Sequence, residues 1–311
     1  MVKTVERAHA IGATALAVFA DNPTAWRRRA EPSPELPAFR QRLRDLDITP
    51  LTIHASYLVN LAGPEPDFFE RSIEVLASEL NAAPAFGAAF VNTHIGSHRG
   101  SGISIGSSRL AEGLDRALAE MSDVPDAAAV LLENSSGAGF GLGTNLDELA
   151  GIAEAVDARG IPAHRVGFCL DTAHAWGAGV DVGDPDAIDA FLTRFDALIG
   201  LHRLLLIHLN DSRSELGSRS DRHEHLGAGR IGERGLGHLI RHPSLAHVAW
   251  ILETPGMDEG YDAVNVARAW DLVADRPLAP LPPEAFRVRA ASKSRIAAPD
   301  MPEVPVESLE R

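Results

Sequence analysis

The chain has 311 residues, 45% of them hydrophobic and 23% charged, which excludes a disordered or fibrous polypeptide. Its formal charge of -14, taken alone, argues against a nucleic-acid partner, since such partners are met by a basic face. A single cysteine, Cys169, excludes a disulfide within the chain, no apolar run reaches the ~18 residues of a membrane span, and Glu6 and Arg7 stand where a signal peptide is apolar, so the cytosol is the expected compartment.

The first predicted element is a helix, because Val2, Val5 and Ala8 are spaced along one helical face that ends near Gly12. Seven apolar runs follow, at 13–20, 48–56, 88–96, 128–135, 166–174, 204–211 and 247–255. None alternates strictly, which is the pattern of strands covered on both faces in a parallel sheet. Amphipathic stretches separate them. In 67–80, Phe68, Ile73, Leu76 and Leu80 share a face; in 109–121, Leu110, Leu114, Leu118 and Met121 do. Strands alternating with helices are βα units. The polar residues that close the strands are His54, His94, Glu133, Asp171, His208 and Glu253, at intervals of 40, 39, 38, 37 and 45 residues. One strand per ~40 residues predicts a (β/α)8 TIM barrel, with these six residues on the C-terminal face where such barrels build active sites. Residues 1–275 form one catalytic domain on this basis. From 276 to 311 the chain is rich in Pro and Ala and is expected to be disordered or loosely packed; Arg287, Arg289, Lys293 and Arg295 leave open a solvated tail or a DNA-contacting arm.

Three further ligand-type residues lie just downstream of strand ends: His174, Asp221 and His223. The nine together are His54, His94, Glu133, Asp171, His174, His208, Asp221, His223 and Glu253. Any one alone is explained as a hydrogen-bonded packing residue. Four carboxylates converging in one barrel mouth repel each other unless cations neutralise them. Imidazole and carboxylate without thiolate suit Zn²⁺ or Mn²⁺. Nine ligands exceed the needs of one catalytic zinc, so two or three metals are expected. Close pairs of metals are typical of hydrolysis at phosphorus.

At this point the chain resembles the endonuclease IV family of apurinic/apyrimidinic (AP) endonucleases, zinc-dependent DNA-repair enzymes. The longest matching segments are HASYLVNL (54–61), GFCLDTAHAWGAG (167–179), and HLND (208–211) continuing through GSRSDRH (217–223) to GAGRIG (227–232). Shorter ones are NTHIGSH (92–98), LEN (132–134) and LET (252–254). The resemblance spans roughly residues 5 to 273. It implies three Zn²⁺ per chain, with Mn²⁺ allowed at some sites. His54, His94 and a bridging Glu133 would hold the first. Glu133, Asp171, His208 and Glu253 would hold the second, and His174, Asp221 and His223 the third. It assigns catalysis to Glu133 and Glu253. The implied reaction is hydrolysis of the phosphodiester 5′ to an abasic site in double-stranded DNA, leaving a 3′-hydroxyl and a 5′-deoxyribose phosphate, with 3′-diesterase activity besides. A monomer with no membrane association is expected. Tyr57 and Leu58 would enter the base stack as wedges, a step an abasic nucleotide makes easier. Arg219 and Arg222, with Arg213 and Arg230, flank the third ligand set as candidate DNA contacts, and Arg27–Arg29 are either DNA contacts or solvated surface. Three Zn²⁺ offset only part of the -14, so the positive charge that matters must be local.

The sequence departs from the family pattern in three places. Thr24 stands where the family often places a basic residue that enters the stack. Ala173 replaces a common cysteine. The family opens with a strand and a Gly-rich loop ahead of the helix that begins here near Val2, so only seven strands can be counted; the barrel's first strand is expected to be absent from this chain, through a start codon placed too far downstream. Two other functions fit parts of the pattern. A sugar isomerase or epimerase on the same barrel would use Glu133, Asp171, His208 and Glu253 but has no need of His54 beside Tyr57, nor of Asp221 and His223. A non-catalytic binding protein has no need of an open three-metal cluster.

Overall fold

The computed structural model describes residues 1–119, 121, 127–257 and 259–288. Helix α1 (Val2–Ala10) buries Val5 and Ala8, as their spacing predicts, and leads into β1 (Leu16–Val18). The order then runs α2 (Leu36–Asp45), β2 (Leu51–His54), α3 (Pro66–Phe86), β3 (Phe90–His94), α4 (Ile103–Ala119), β4 (Ala129–Glu133) and α5 (Leu146–Asp157). It continues with β5 (Val166–Asp171), α6 (Thr172–Ala178), α7 (Pro185–Leu198), β6 (Leu204–His208), β7 (Asp211–Ser212), β8 (His223–Glu224), α8 (Gly232–Ile240), β9 (Ala249–Ile251) and α9 (Tyr261–Val273). Each of the seven expected strands lies inside its apolar run. The first expected helical stretch is extended at both ends, because α3 starts on Pro66, whose fixed φ suits a first turn, and continues to a left-handed cap at Gly87; the second begins earlier, at Ile103, and ends at Ala119, short of Met121.

The seven strands form one parallel sheet in the order β1-β2-β3-β4-β5-β6-β9. This is the TIM-barrel arrangement with seven strands. β1 and β9 stand at the two ends of the sheet, and among the described residues no pairing joins them. β7 and β8 make a separate antiparallel pair that the sequence did not signal.

Apolar residues pack in two places. A large cluster lies between the sheet and the surrounding helices. A small one, Leu131, Cys169, Leu206 and Ile251, joins side chains of β4, β5, β6 and β9 across the barrel interior, with Ala17 and Phe90 against it. Side chains on a strand alternate faces, so the residue two positions on points the same way. Leu131 is followed by Glu133, Cys169 by Asp171, Leu206 by His208 and Ile251 by Glu253. The apolar plug therefore forms the floor, and the next residue of the same parity rises from it into the mouth, at the strand's end for Glu133, Asp171 and His208 and just beyond β9 for Glu253.

The segment after α9 is not free of the barrel over its first part. Arg268 Nη1 donates to Ala279 O, Glu233 accepts the Leu278 N–H at 3.2 Å, and buried His225 meets Ala285 O at 3.1 Å. Ala285 itself is fully buried. Residues 289–311, the greater part of the expected tail, lie outside the described residues. No helix among the described residues is long and apolar enough to cross a membrane.

Candidate metal centre

Glu133 stands at the middle of the mouth, on the central strand, and is 1% exposed. His54 Nε2 lies 3.5 Å and His94 Nε2 3.7 Å from its Oε2. His174 Nδ1 and His208 Nδ1 lie 3.3 and 3.5 Å from its Oε1. Its Oε2 also accepts a 2.7 Å hydrogen bond from Asn92 Nδ2 on β3. One carboxylate thus faces four imidazoles, the position of a bridging ligand.

Asp171 closes β5 and caps α6. Its Oδ1 accepts the His174 N–H at 2.8 Å, and its Oδ2 accepts Asn210 Nδ2 at 2.7 Å. Asn134 grips the same turn from β4, accepting the Asp171 N–H at 2.6 Å. His223 Nε2 lies 3.6 Å from Asp171 Oδ2 and 3.0 Å from Asp221 Oδ1, while His174 Nε2 lies 3.4 Å from Asp221 Oδ2. His208 Nδ1 faces Glu253 Oε2 at 3.2 Å.

Five sets of ligand atoms stand out among the described residues, four of them in the mouth: His54, His94 and Glu133; Glu133, Asp171, His208 and Glu253; Asp171, His174 and His223; and Glu133, Cys169 and His208, with all atoms of a set within 4.8 Å of one another. The first two coincide with the sets expected from the sequence. In the third, Asp171 stands with the two histidines where Asp221 was expected, although Asp221 lies nearer His223, at 3.0 Å against 3.6 Å. The fifth set, Asp189, His238 and His242, lies outside the mouth, on α7 and at the end of α8. His238 Nε2 meets Asp189 Oδ1 at 2.6 Å, and His242 Nδ1 accepts the Ser244 N–H, so hydrogen bonding accounts for that set.

The histidines of the mouth are oriented as ligands. His54 Nδ1 donates to Ala55 O at 2.8 Å, His174 Nδ1 to Asn134 O at 3.0 Å and His223 Nδ1 to Glu253 O at 2.7 Å. A ring that donates through Nδ1 keeps its lone pair on Nε2, and each Nε2 turns towards the carboxylates. Glu133 Oε1, both ring nitrogens of His208 and His223 Nε2 are buried with no hydrogen-bond partner. A cluster of buried lone pairs is what a cation needs, and the donor set of imidazole and carboxylate fits Zn²⁺. Without a cation the carboxylates draw protons onto the imidazoles instead, which a bound metal would displace. Burial opposes ionisation of Glu133, yet His208 and His94 outweigh it and hold the carboxyl well below the usual range. Burial is likewise overcome at Glu253, where His208 draws the carboxyl down to about 2, and at His223, where Asp171 and Asp221 hold the imidazole up to about 9. Cys169, beside His208 and Glu133, is different: burial pushes its thiol up to about 12.

Around the cluster, Tyr57 is exposed at the lip. Its ring centroid lies 5.4 Å from Phe19, 5.8 Å from His54 and 6.3 Å from His94. Leu58 is half-buried beside it. Arg219 and Arg222 are exposed in the loop between β7 and β8, and neither is ion-paired among the described residues. Arg213 and Arg230 are paired with Glu224 and Glu215. Of the three consecutive arginines, Arg27 and Arg29 are exposed, but Arg28 turns inward to Glu79 at 3.4 Å. Thr24 folds back on Asn22, its hydroxyl 2.8 Å from Oδ1.

The loop that carries Asp221 and His223 rests on Asp211, a residue the sequence reading passed over. Its buried carboxylate accepts the N–H groups of Ser212, Gly229, Ile231 and Gly232. A Cβ at Gly229 would overlap that carboxylate, so only glycine lets the chain approach. Asn92, Asn134 and Asn210 were also missed; each follows or precedes a ligand by one or two residues, which was the available signal.

A family profile described as a xylose isomerase-like TIM barrel matches residues 5–275. The chain is 37% identical over 271 residues to a probable endonuclease 4 of Halothermothrix orenii, covering 86% of this chain and 95% of that one. It is 39% identical over 273 residues to a probable endonuclease 4 of Chloroflexus aggregans, covering 87% and 93%. Among solved structures, endonuclease IV from Thermus thermophilus is 37% identical, with a TM-score of 0.75 over 88% of this chain and 94% of that one. A D-tagatose 3-epimerase-like protein at 17% identity and TM-score 0.64 shares the fold.

Proposed function

The chain belongs to the endonuclease IV family, and we propose that it is a metal-dependent DNA-repair endonuclease that hydrolyses the phosphodiester 5′ to abasic sites in duplex DNA. The products would be a 3′-hydroxyl and a 5′-deoxyribose phosphate, and the same chemistry would trim blocked 3′ ends. The observation that carries this reading is the clustering of nine ligand-type side chains in one barrel mouth around Glu133, with Glu133 Oε1, both ring nitrogens of His208 and His223 Nε2 buried and without a hydrogen-bond partner. All nine come from one chain, which supports action as a monomer.

His54, His94 and Glu133 would hold one Zn²⁺, Glu133, Asp171, His208 and Glu253 a second, and His174, Asp221 and His223 a third, with Mn²⁺ able to replace zinc at some positions. Bound there, such ions supply Lewis-acid stabilisation of charge on phosphate oxygens and a nucleophile at neutral pH. The remaining work falls to the protein. Asn92 and Asn210 fix the carboxylates of Glu133 and Asp171 by donating to one oxygen of each, and the His174 N–H holds the second oxygen of Asp171, so both carboxylates are set in one orientation. Glu253, at 34% side-chain exposure the most open of the four carboxylates, stays ionised and orients the attacking water by accepting its O–H. Arg219 and Arg222 would contact DNA phosphates beside the third ligand set. Tyr57 and Leu58 would fill the stack opened at the lesion.

Incubation with a labelled duplex carrying one abasic site tests the proposal. The expected product is a strand cut 5′ to the lesion whose end a DNA polymerase extends without further processing. A cut on the 3′ side, or a product that cannot be extended, overturns the assigned chemistry. No cleavage together with interconversion of keto and aldo sugars would transfer the site to a sugar isomerase.

A further inference from the structure

Glu79 lies on α3, a helix of the outer layer, yet its side chain is 3% exposed. A buried carboxylate is costly compared with an apolar residue of similar size. What it holds lies at the mouth. Its two oxygens accept the Ser56 N–H at 3.2 and 3.4 Å, and its Oε1 lies 3.4 Å from Arg28 Nη1. The Arg28 guanidinium continues to the backbone carbonyls of Asn22 and Ala25. One carboxylate therefore ties the loop after β2 to the loop after β1. A second strap reinforces it: Ser56 Oγ and Tyr57 N both donate to Pro23 O, at 2.7 and 3.1 Å. The loop after β1 is closed on itself by Asp21, which accepts the N–H groups of Asn22 and Arg29. Between the two loops the Tyr57 ring is set against Phe19, the residue that follows β1, and beside His54 and His94.

We propose that Glu79 is a positioning residue for DNA engagement: through Ser56 and Arg28 it locks the two loops together, so that Tyr57 stands at the lip of the metal site before DNA arrives. This rests on the proposed action at abasic DNA. A ring held in its working position loses less freedom on binding, so the lock acts on affinity and leaves the chemistry of the bound complex alone.

The test is a double-mutant cycle on the metal-loaded enzyme with Glu79→Ala, Tyr57→Ala and the pair, measured on abasic duplex. Glu79→Ala is expected to raise KM about tenfold while kcat stays within about twofold, the signature of lost binding with intact chemistry. Glu79→Gln keeps an oxygen for the Ser56 N–H and should recover most of that loss. In the Tyr57→Ala background Glu79→Ala should change KM by less than about twofold, since its effect passes through the ring. Metal content should match wild type in every variant. An equal effect of Glu79→Ala in both backgrounds, or a fall in kcat and metal content alongside KM, overturns the proposal. Should Glu79→Ala fail to fold, Arg28→Gln removes the other end of the lock and carries the same expectations. A wild-type chain that leaves abasic duplex uncut overturns the proposed function, and this inference with it; an active wild type with additive effects overturns the inference alone.

Discussion

The middle of the sheet and its two ends are built differently. β4 and β5 are five and six residues long and buried throughout. β1 and β9 are three residues each and mostly half-buried. The middle strands, with β6, deliver Glu133, Asp171 and His208, which are essentially sealed from solvent. Glu253 reaches the mouth from beyond the end of β9 and is half-open. On the proposed function, the candidate ligands thus sit where the sheet is deepest and paired on both sides, and contact with DNA would fall to the loops that follow the first two strands and to the loop between β7 and β8. Rigid placement of ligands needs strands fixed from both flanks; a lip that meets a duplex does not.

The contrast breaks first at Glu133. Glu133→Gln is expected to lower cleavage of abasic duplex by at least about 10³-fold, because four imidazoles lose the charge they share. Circular dichroism should show an intact fold. Retention of activity within about tenfold, a barrier change of only about 1.4 kcal/mol, would remove Glu133 from its role. Metal analysis of the purified chain is expected to give about three divalent ions that survive brief EDTA treatment, since buried multi-ligand sites release metal slowly. A value near one would reduce the centre to a single site. The structural half of the contrast is sharpened by two truncations. Leu131→Ala, in the interior plug, should cost about 2–5 kcal/mol in denaturant unfolding, whereas Val18→Ala at the sheet's end should cost roughly 1 kcal/mol. Equal losses would show that the ends are held as firmly as the middle. The smallest effect concerns Glu79. Burial pushes its carboxyl from 4.5 up to about 7, against the pull of Arg28. A carboxyl raised on folding contributes stability that is complete below 4.5 and lost as pH rises through about 7. The Tm of Glu79→Gln relative to wild type should therefore climb between about pH 5 and pH 8.5, and a flat difference would place Glu79 outside that range.

Much of this was legible in the sequence, for reasons that differ by residue. The strands announced themselves because a parallel sheet buried on both faces leaves continuous apolar runs. Their ends were overshot, as at β1, because alanines such as Ala13 and Ala20 are apolar whether or not they pair. The candidate ligands were legible because a histidine or carboxylate closing an apolar strand is conspicuous, and it recurs six times at a spacing of about 40 residues. The hairpin of β7 and β8 was not legible. Two residues on each side carry no periodicity, and what fixes it is Asp211 collecting backbone N–H groups about 20 residues downstream. Arg28 was grouped with its neighbours for the same reason. Three consecutive arginines look alike until the chain turns one of them inward to an acid 51 residues away.

Cys169 carries a consequence of another kind. It is the chain's one thiol, lies in the barrel floor beneath the candidate metal site, and is held protonated by burial that pushes it up to about 12. Oxidants and alkylating agents attack the thiolate, whose population near neutral pH is then vanishingly small. The folded protein offers no sulfur for peroxide to convert to a sulfenic acid and none for a mixed disulfide. Its vulnerability to oxidants shifts from cysteine chemistry to methionines such as the exposed Met257, to the imidazoles and to whatever unfolds the floor.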